Sequence, residues 1–214
     1  MKVGIIGSGD VGQALGAGFV AHGHQTMLGS RDPNSAKVQG WRQQNGAKAS
    51  AGTFDQVAAF GDLIVLATAW GGTEQALKLA DLRNFVGKVV IDVTNPLNFP
   101  PNAPPELAVG FSDSGGEQVQ RWLPESRVVK AFNIVGSPLM INPRLPGGPP
   151  TMFICGNDEY ARQTVNDLCE TFGWEVEDVG GIEASRLLEP LALLWVTRGL
   201  RSGQWNHAFK LLKG

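Results

Sequence analysis

Apolar residues along this chain fall into short unbroken runs, separated by stretches in which they recur every three or four positions. The runs are Lys2–Ile6, Gln25–Leu28, Leu63–Thr68, Lys88–Val93, Arg127–Phe132, Thr151–Cys155 and Glu175–Val179. None alternates strictly with polar residues. Strands apolar on both faces belong in a parallel sheet covered by helices. Between them, Val11, Ala14, Leu15, Gly18 and Phe19 follow the i, i+3, i+4, i+7, i+8 spacing of one buried helical face. Phe54, Val57 and Ala58, then Ala76–Ala80, Val119–Leu123 and Val165–Phe172, continue the alternation. Strand–helix–strand repetition of this kind predicts an α/β fold with a doubly wound, mostly parallel sheet over residues 1–180. The rest, 181–214, reads as a C-terminal helical segment. Its long apolar stretch Ile182–Leu200 contains Pro190, which is expected to kink or divide the helix. So much apolar surface is expected to face a second copy in a homodimer, with the edge of its own sheet as the other possibility.

Glycine and proline are unevenly placed. Of 28 glycines, eight lie in the first 29 residues, and ten of the 13 prolines lie in two loops, 96–105 and 138–150. The early glycines include Gly7-Ser8-Gly9-Asp10-Val11-Gly12, a G-x-G-x-x-G turn that follows the first apolar run and opens the first helical pattern. That context turns a weak motif into a dinucleotide-binding fingerprint of Rossmann type. Gly7 would allow the tight turn, Gly9 the approach of a pyrophosphate, and Gly12 close packing of helix on strand. The free N–H groups of the helix start would face the phosphates.

The end of the second run selects the cofactor. An NAD site places an acid about 20 residues beyond the fingerprint, for the ribose 2′-hydroxyl. Here Ser30 and Arg31 stand there, and a guanidinium can grip a 2′-phosphate through bidentate bonds. Asp32-Pro33 reads as a turn opening the next helix. Lys37 either adds positive charge or is a solvated surface lysine. The expected cofactor is NADP(H).

Composition narrows the partners. The formal net charge is −2, from 18 Lys and Arg against 20 Asp and Glu, without the basic excess of a nucleic-acid binder or a polybasic membrane anchor. No apolar run approaches membrane-span length, and Gly7, Gly9 and Asp10 interrupt any signal-peptide core. The two cysteines, Cys155 and Cys169, are expected to be buried free thiols in a reducing, cytoplasmic setting. No metal motif or nucleophile elbow is present, and His22, His24 and His207 are expected to be solvated loop residues.

Five segments occur together, in order: the Gly7–Gly12 turn, Gly29-Ser30-Arg31, Asp92-Val93-Thr94-Asn95-Pro96-Leu97, Val129-Lys130-Ala131-Phe132-Asn133 and Arg186-Leu187-Leu188-Glu189-Pro190-Leu191. Over residues 1–200 the chain resembles the NADP oxidoreductases that use coenzyme F420, and also the cytosolic domains of six-transmembrane metalloreductases. Its fingerprint is one residue shorter than the Gly-Gly-x-Gly-x-x-Gly form associated with the deazaflavin enzymes. The resemblance implies hydride transfer between NADP(H) and a flat redox-active small molecule, coenzyme F420 or a flavin. It places Thr68, Ala69 and Trp70, then Thr94, Asn95 and Pro96, and Asn133 around the nicotinamide. Asn95 and Asn133 would bond the carboxamide or the acceptor ring, or else cap their loops. Trp70 would stack on the acceptor or belong to the core. Ser112–Gly116 would line the acceptor pocket or cap a helix. The resemblance implies no particular acid or base as the catalytic residue. Two other readings stay open: a small imine or carbonyl reductase, which needs a positioned proton donor, and a non-catalytic NADPH-binding sensor.

Overall fold

The computed structural model describes residues 1–214. From the N-terminus, β1 (Lys2–Ile6) leads through Gly7–Gly9 into α1 (Asp10–Ala21), which returns to β2 (Gln25–Gly29). The buried face of α1 centres on Leu15 and Phe19, with Gly12, Gly16 and Gly18 beside them, while Val11 and Ala14 lie at its half-buried margin. The remaining elements are α2 (Ala36–Asn45), β3 (Ala49–Gly52), α3 (Phe54–Phe60), β4 (Leu63–Leu66), α4 (Thr73–Leu79), β5 (Val89–Asp92), β6 (Leu97–Asn98), β7 (Glu106–Leu107), α5 (Gly115–Trp122), β8 (Arg127–Lys130), β9 (Thr151–Gly156), α6 (Glu159–Thr171), β10 (Glu175–Asp178) and α7 (Ser185–Ser202).

Eight strands form one sheet in the order β10-β9-β8-β5-β4-β1-β2-β3. The six from β8 to β3 are parallel, while β9 pairs antiparallel with β8 and parallel with β10. Helices cover both faces. Leu15 and Phe19 of α1, Val38 and Trp41 of α2, and Val165 and Cys169 of α6 belong to the larger core on one side. Phe54 of α3, Leu77 of α4 and Val119 of α5 belong to the smaller core on the other. Both faces of β1 are therefore buried, Ile5 in one layer and Ile6 in the other. This explains the unbroken apolar runs. The strand register aligns Gly29, Ile6, Leu66, Asp92 and Lys130 in one row across the sheet. The order reverses between β1 and β4, where Rossmann-type sheets open a crevice beyond the strand ends.

The structure corrects several expectations. β3 has the sequence Ala-Ser-Ala-Gly, too small and too polar to stand out as an apolar run. The run expected to end at Thr68 stops at Leu66, and those expected to reach Val93 and Phe132 stop at Asp92 and Lys130. Past these ends Val93, Ala131 and Phe132 are buried in loops, while Ala67 and Thr68 are half-buried at the cleft, so apolar character outlasts strand geometry after β5 and β8. Pro190 does not divide the C-terminal helix, which runs unbroken from Ser185 to Ser202 behind a short turn at Ile182–Ala184. Its ring is exposed, and the preceding turn is held from outside the helix through Leu188 and Glu189. The proline-rich segment after β5 is closed as a hairpin by the pairing of β6 with β7.

Beyond α7 the chain folds back over the start of β9 and beside β10. Thr151 N–H donates to the Phe209 carbonyl at 2.9 Å, and Leu211 N–H to Thr151 Oγ1 at 3.0 Å. Lys210 pairs with Glu175 at 2.9 Å and Lys213 with Glu177 at 2.5 Å. No helix is long and apolar enough to cross a membrane.

Candidate active site

Two adjoining clefts open at the strand ends around the switch point, and they share Gly9, Ala67, Thr68 and Ala69. The first, about 330 Å³, runs from the Gly7-Ser8-Gly9 turn to Ser30 and Arg31, with Phe54, Gln75, Ala76 and Leu79 opposite. The second, about 400 Å³, is lined by Gly9, Asp10 and Val11, by Ala67, Thr68, Ala69 and Trp70 after β4, and by Val93, Thr94 and Asn95 after β5. Together they make one groove with the Gly7-Ser8-Gly9 turn at its middle.

The turn is built as the fingerprint requires. Gly7 adopts φ = +126°, a conformation closed to other residues. A side chain at Gly12 would overlap the Gly7 carbonyl oxygen, so α1 can approach β1 only without one. Nothing lies near the position a Cβ would take at Gly9, which leaves room for a ligand over the backbone. Gly9 caps α1, and no side chain satisfies the free amides of the first turn. The Ser8 carbonyl is fixed by Gln13 Nε2 at 2.9 Å.

At one end of the groove, Arg31 is exposed and forms no intramolecular ion pair or hydrogen bond, while Ser30 Oγ accepts from Asp32 N–H at 3.2 Å. Lys37 does not line the groove. Its ammonium pairs with Asp10 at 3.1 Å and offsets the carboxylate at the helix start.

At the other end, the polar groups are already engaged. Thr68 Oγ1 and Thr73 Oγ1 share a hydrogen bond of 2.8 Å. Asn95 Nδ2 donates to the Asn133 carbonyl at 2.7 Å, and Asn133 Nδ2 to Asn95 Oδ1 and the Leu188 carbonyl, both at 3.1 Å. Asn95 thus clasps the loop of Asn133 while Asn133 holds the Asn95 side chain, and Asn133 Oδ1 is left buried without a partner. The Trp70 indole stacks on Trp122 at a centroid distance of 5.5 Å, so one face is already covered from within. Ala69 is exposed at the mouth. Ser114 caps α5, accepting from Glu117 N–H at 3.2 Å and donating to Glu117 Oε2 at 2.7 Å. Both cysteines are buried, and burial pushes the Cys155 thiol up to about 11. His22 and His24 sit at the far end of α1, and His207 stacks on Trp195.

Sequence reasoning missed a buried ionic cluster behind this wall. Lys130, fully buried, lies 2.9 Å from both Asp92 Oδ2 and Glu189 Oε1 and donates to the Thr94 carbonyl at 2.8 Å. Asp92 Oδ1 accepts from Thr94 N–H at 2.9 Å and from Thr94 Oγ1 at 2.7 Å. Glu189 accepts from the N–H groups of Gly115 and Gly116, each at 2.9 Å, at the start of α5. Burial alone would lower the Lys130 pKa, but the two carboxylates outweigh it and hold the pKa above the ordinary lysine range. The extra negative charge faces the positive end of α5. Removing one member of such a set typically costs about 3–5 kcal/mol, because the others stay buried without compensation. The signal was a lone charge within each of three apolar segments. Alongside, Arg186 of α7 grips Glu117 of α5 through bonds of 2.8 and 2.5 Å, and this pairing holds the Glu117 carboxyl below its usual range.

Comparison with known proteins gives a consistent neighbourhood. The family model described as NADP oxidoreductase coenzyme F420-dependent matches residues 2–96. The chain is 30% identical over 206 residues to an F420-dependent NADP reductase of Methanocaldococcus jannaschii, covering 92% of this chain and 91% of that one. It is 29% identical over 205 residues to metalloreductase STEAP3 of Rattus norvegicus, covering 90% of this chain. The chain spans only 37% of that metalloreductase's length. The crystal structure of a candidate F420-dependent NADP reductase from Arthrobacter sp. FB24 superposes with a TM-score of 0.93 at 33% identity, over 100% of both chains.

Proposed function

Because the chain belongs to the coenzyme F420-dependent NADP oxidoreductase family, we propose that it transfers hydride between NADP(H) and a deazaflavin or flavin-type acceptor. The observation that carries this reading is the groove itself. It has an unengaged Arg31 at one end, an open glycine turn in the middle, and at the other end a wall whose polar groups bond one another.

The residues fit the cofactor. Arg31 and Ser30 would hold the 2′-phosphate, and the amides after Ser8 and Gly9 would hold the pyrophosphate. The ring end would be bordered by Val11, Thr68, Ala69 and Trp70 on one flank and by Thr94 and Asn95 on the other, with Asn133 bonded behind Asn95. Asn133 stands behind the cleft lining, bonded to Asn95, and its buried Oδ1 is an acceptor left without a partner within the chain. When bound, NADPH supplies the hydride. The protein binds, orients and excludes water at the ring end. It needs no proton donor for this, since a flavin-type acceptor can take its proton from solvent.

The side chains support that division of labour. Asp10 is the one ionisable residue lining the ring-end cleft, and it is exposed and paired with Lys37. An imine or carbonyl reductase would want an acid aimed into that cleft. The test is NADPH consumption, followed optically, with coenzyme F420, flavin mononucleotide and a panel of imines and carbonyls. Turnover with a flavin-type acceptor across a broad pH plateau supports the proposal. A sharp bell with an imine or carbonyl moves the protein to the reductase reading, and NADPH binding without turnover of any acceptor moves it to the sensor reading.

A further inference from the structure

The buried cluster has no exposed atom to offer a substrate, yet three of its bonds end on Thr94 in the lining of the ring-end cleft. Asp92 and Lys130 together engage the N–H, hydroxyl and carbonyl of Thr94, which fixes that residue's peptide from three sides. Glu189 ties the same lysine to the first amides of α5. A side chain at Gly115 would touch Trp70 and Pro96, so the start of α5 abuts the opposite lip and the residue after Asn95. One residue before Glu189, the Leu188 carbonyl holds Asn133, which holds Asn95. Two adjacent residues of α7 therefore anchor both asparagines, Thr94 and the start of α5. The phosphate-binding half on β1, α1 and β2 takes no part in these bonds.

From this we infer that Lys130 and Glu189 are positioning residues, which set the height of the Thr94–Asn95 wall under the nicotinamide and leave the phosphate-binding half untouched. The inference rests on the cofactor reading above. It deepens that reading by separating residues that hold the cofactor from residues that aim its ring. A chain in which the cluster served stability alone would lose ring placement only as far as it lost the fold. A positioning cluster separates the two effects.

The experiment compares the unaltered protein with Glu189→Gln, which keeps shape and loses charge, and with Lys130→Met. NADPH is the probe. Three quantities are read for each folded variant: the dissociation constant, the fluorescence emission and anisotropy of the bound reduced ring, and the split of KM and kcat with a flavin-type acceptor. The expected result for Glu189→Gln is NADPH affinity within threefold of the unaltered protein, ring emission moved towards that of free NADPH, and kcat lowered about tenfold at unchanged KM for NADPH. Unchanged ring emission in folded Glu189→Gln overturns the inference. So does a loss of affinity as large as the loss of kcat. Lys130→Met leaves two carboxylates facing each other, and if it does not fold then Glu189→Gln decides. If neither variant folds, the cluster maintains the fold and the inference fails. Should the unaltered protein bind NADPH but reduce no acceptor, the proposed function fails on its own, while the ring emission of the variants still judges the cluster.

Discussion

Replacing Arg31 with alanine should separate NADPH from NADH. The guanidinium is exposed, has no partner within the chain and borders the groove beside Ser30 and Ser8, so its removal leaves no intramolecular charge unbalanced. Its contribution therefore comes almost wholly from the ligand. At about 4 Å in a water-like dielectric, each pair of unit charges contributes roughly 1 kcal/mol, and a 2′-phosphate carries nearly two charges. The resulting ~2 kcal/mol agrees with the 1.5–3 kcal/mol of a charge-assisted hydrogen bond and corresponds to about thirtyfold in Kd. NADH, which lacks the phosphate, should bind the variant within about twofold of its original affinity. The assay is fluorescence titration of both cofactors at two ionic strengths. Added salt should weaken NADPH binding to the unaltered protein more than to the variant, because the interaction lies in solvent. Arg31→Lys should fall between, keeping the charge and losing the fork. Equal losses for NADPH and NADH, or no loss for either, would refute the assignment of Arg31 to the 2′-phosphate.

Three further outcomes follow from the packing. Gly12→Ala sets a methyl group against the Gly7 carbonyl oxygen, so thermal unfolding should show a loss of roughly 1–3 kcal/mol, with NADPH affinity falling alongside. A variant of unchanged melting temperature and affinity would contradict the close approach. Glu117, held below its usual range by Arg186, stabilises the fold above the unfolded carboxylate pKa of about 4.3, and that stability is lost as pH falls through the lower folded value. Glu117→Gln should therefore flatten the acid limb of a stability–pH curve, and an unaltered limb would count against the pairing. Leu187, Pro190 and Leu194 form an exposed stripe on α7, and a homodimer burying it should scatter light as about twice 22.8 kDa, with Leu194→Glu returning the monomer. A monomeric unaltered chain rules that contact out.

The glycine-turn half of the groove was legible because its physics is local. Gly7, Gly9 and Gly12 act within one turn, and Ser30 and Arg31 follow the short run Gln25–Leu28 within two or three residues. The half around Thr94 and Asn95 was less legible because its groups act on each other across 38 to 74 residues of chain, as in Asn95 with Asn133 and Gly115 with Glu189. Lys130 and Glu189 stood in segments whose order suggested the family, yet a charge in an apolar run shows its partner only once the sheet sets the register. Trp70 was visible as an aromatic at a strand end, and only the placement of α5 reveals that Trp122 covers one of its faces. Asn133 Oδ1 was unforeseeable on the same ground, since its lack of a partner depends on where Leu188 falls.

The returning tail bears on solubility. β10 is an edge strand, and the unpaired N–H and C=O groups of an edge can recruit strands from other molecules. Here the side lined by Glu175 and Glu177 is crossed by a segment carrying Lys210 and Lys213. Glu175 and Glu177, two residues apart, lie on one face of the strand, so these charged pairs flank the edge ladder without bonding its backbone. The opposite edge, β3, is protected differently, by being only four residues long and made of alanine, serine and glycine. Trimming the chain before Lys210 should leave catalysis largely intact and shift the risk to aggregation on storage or heating, at the edge farthest from the glycine turn.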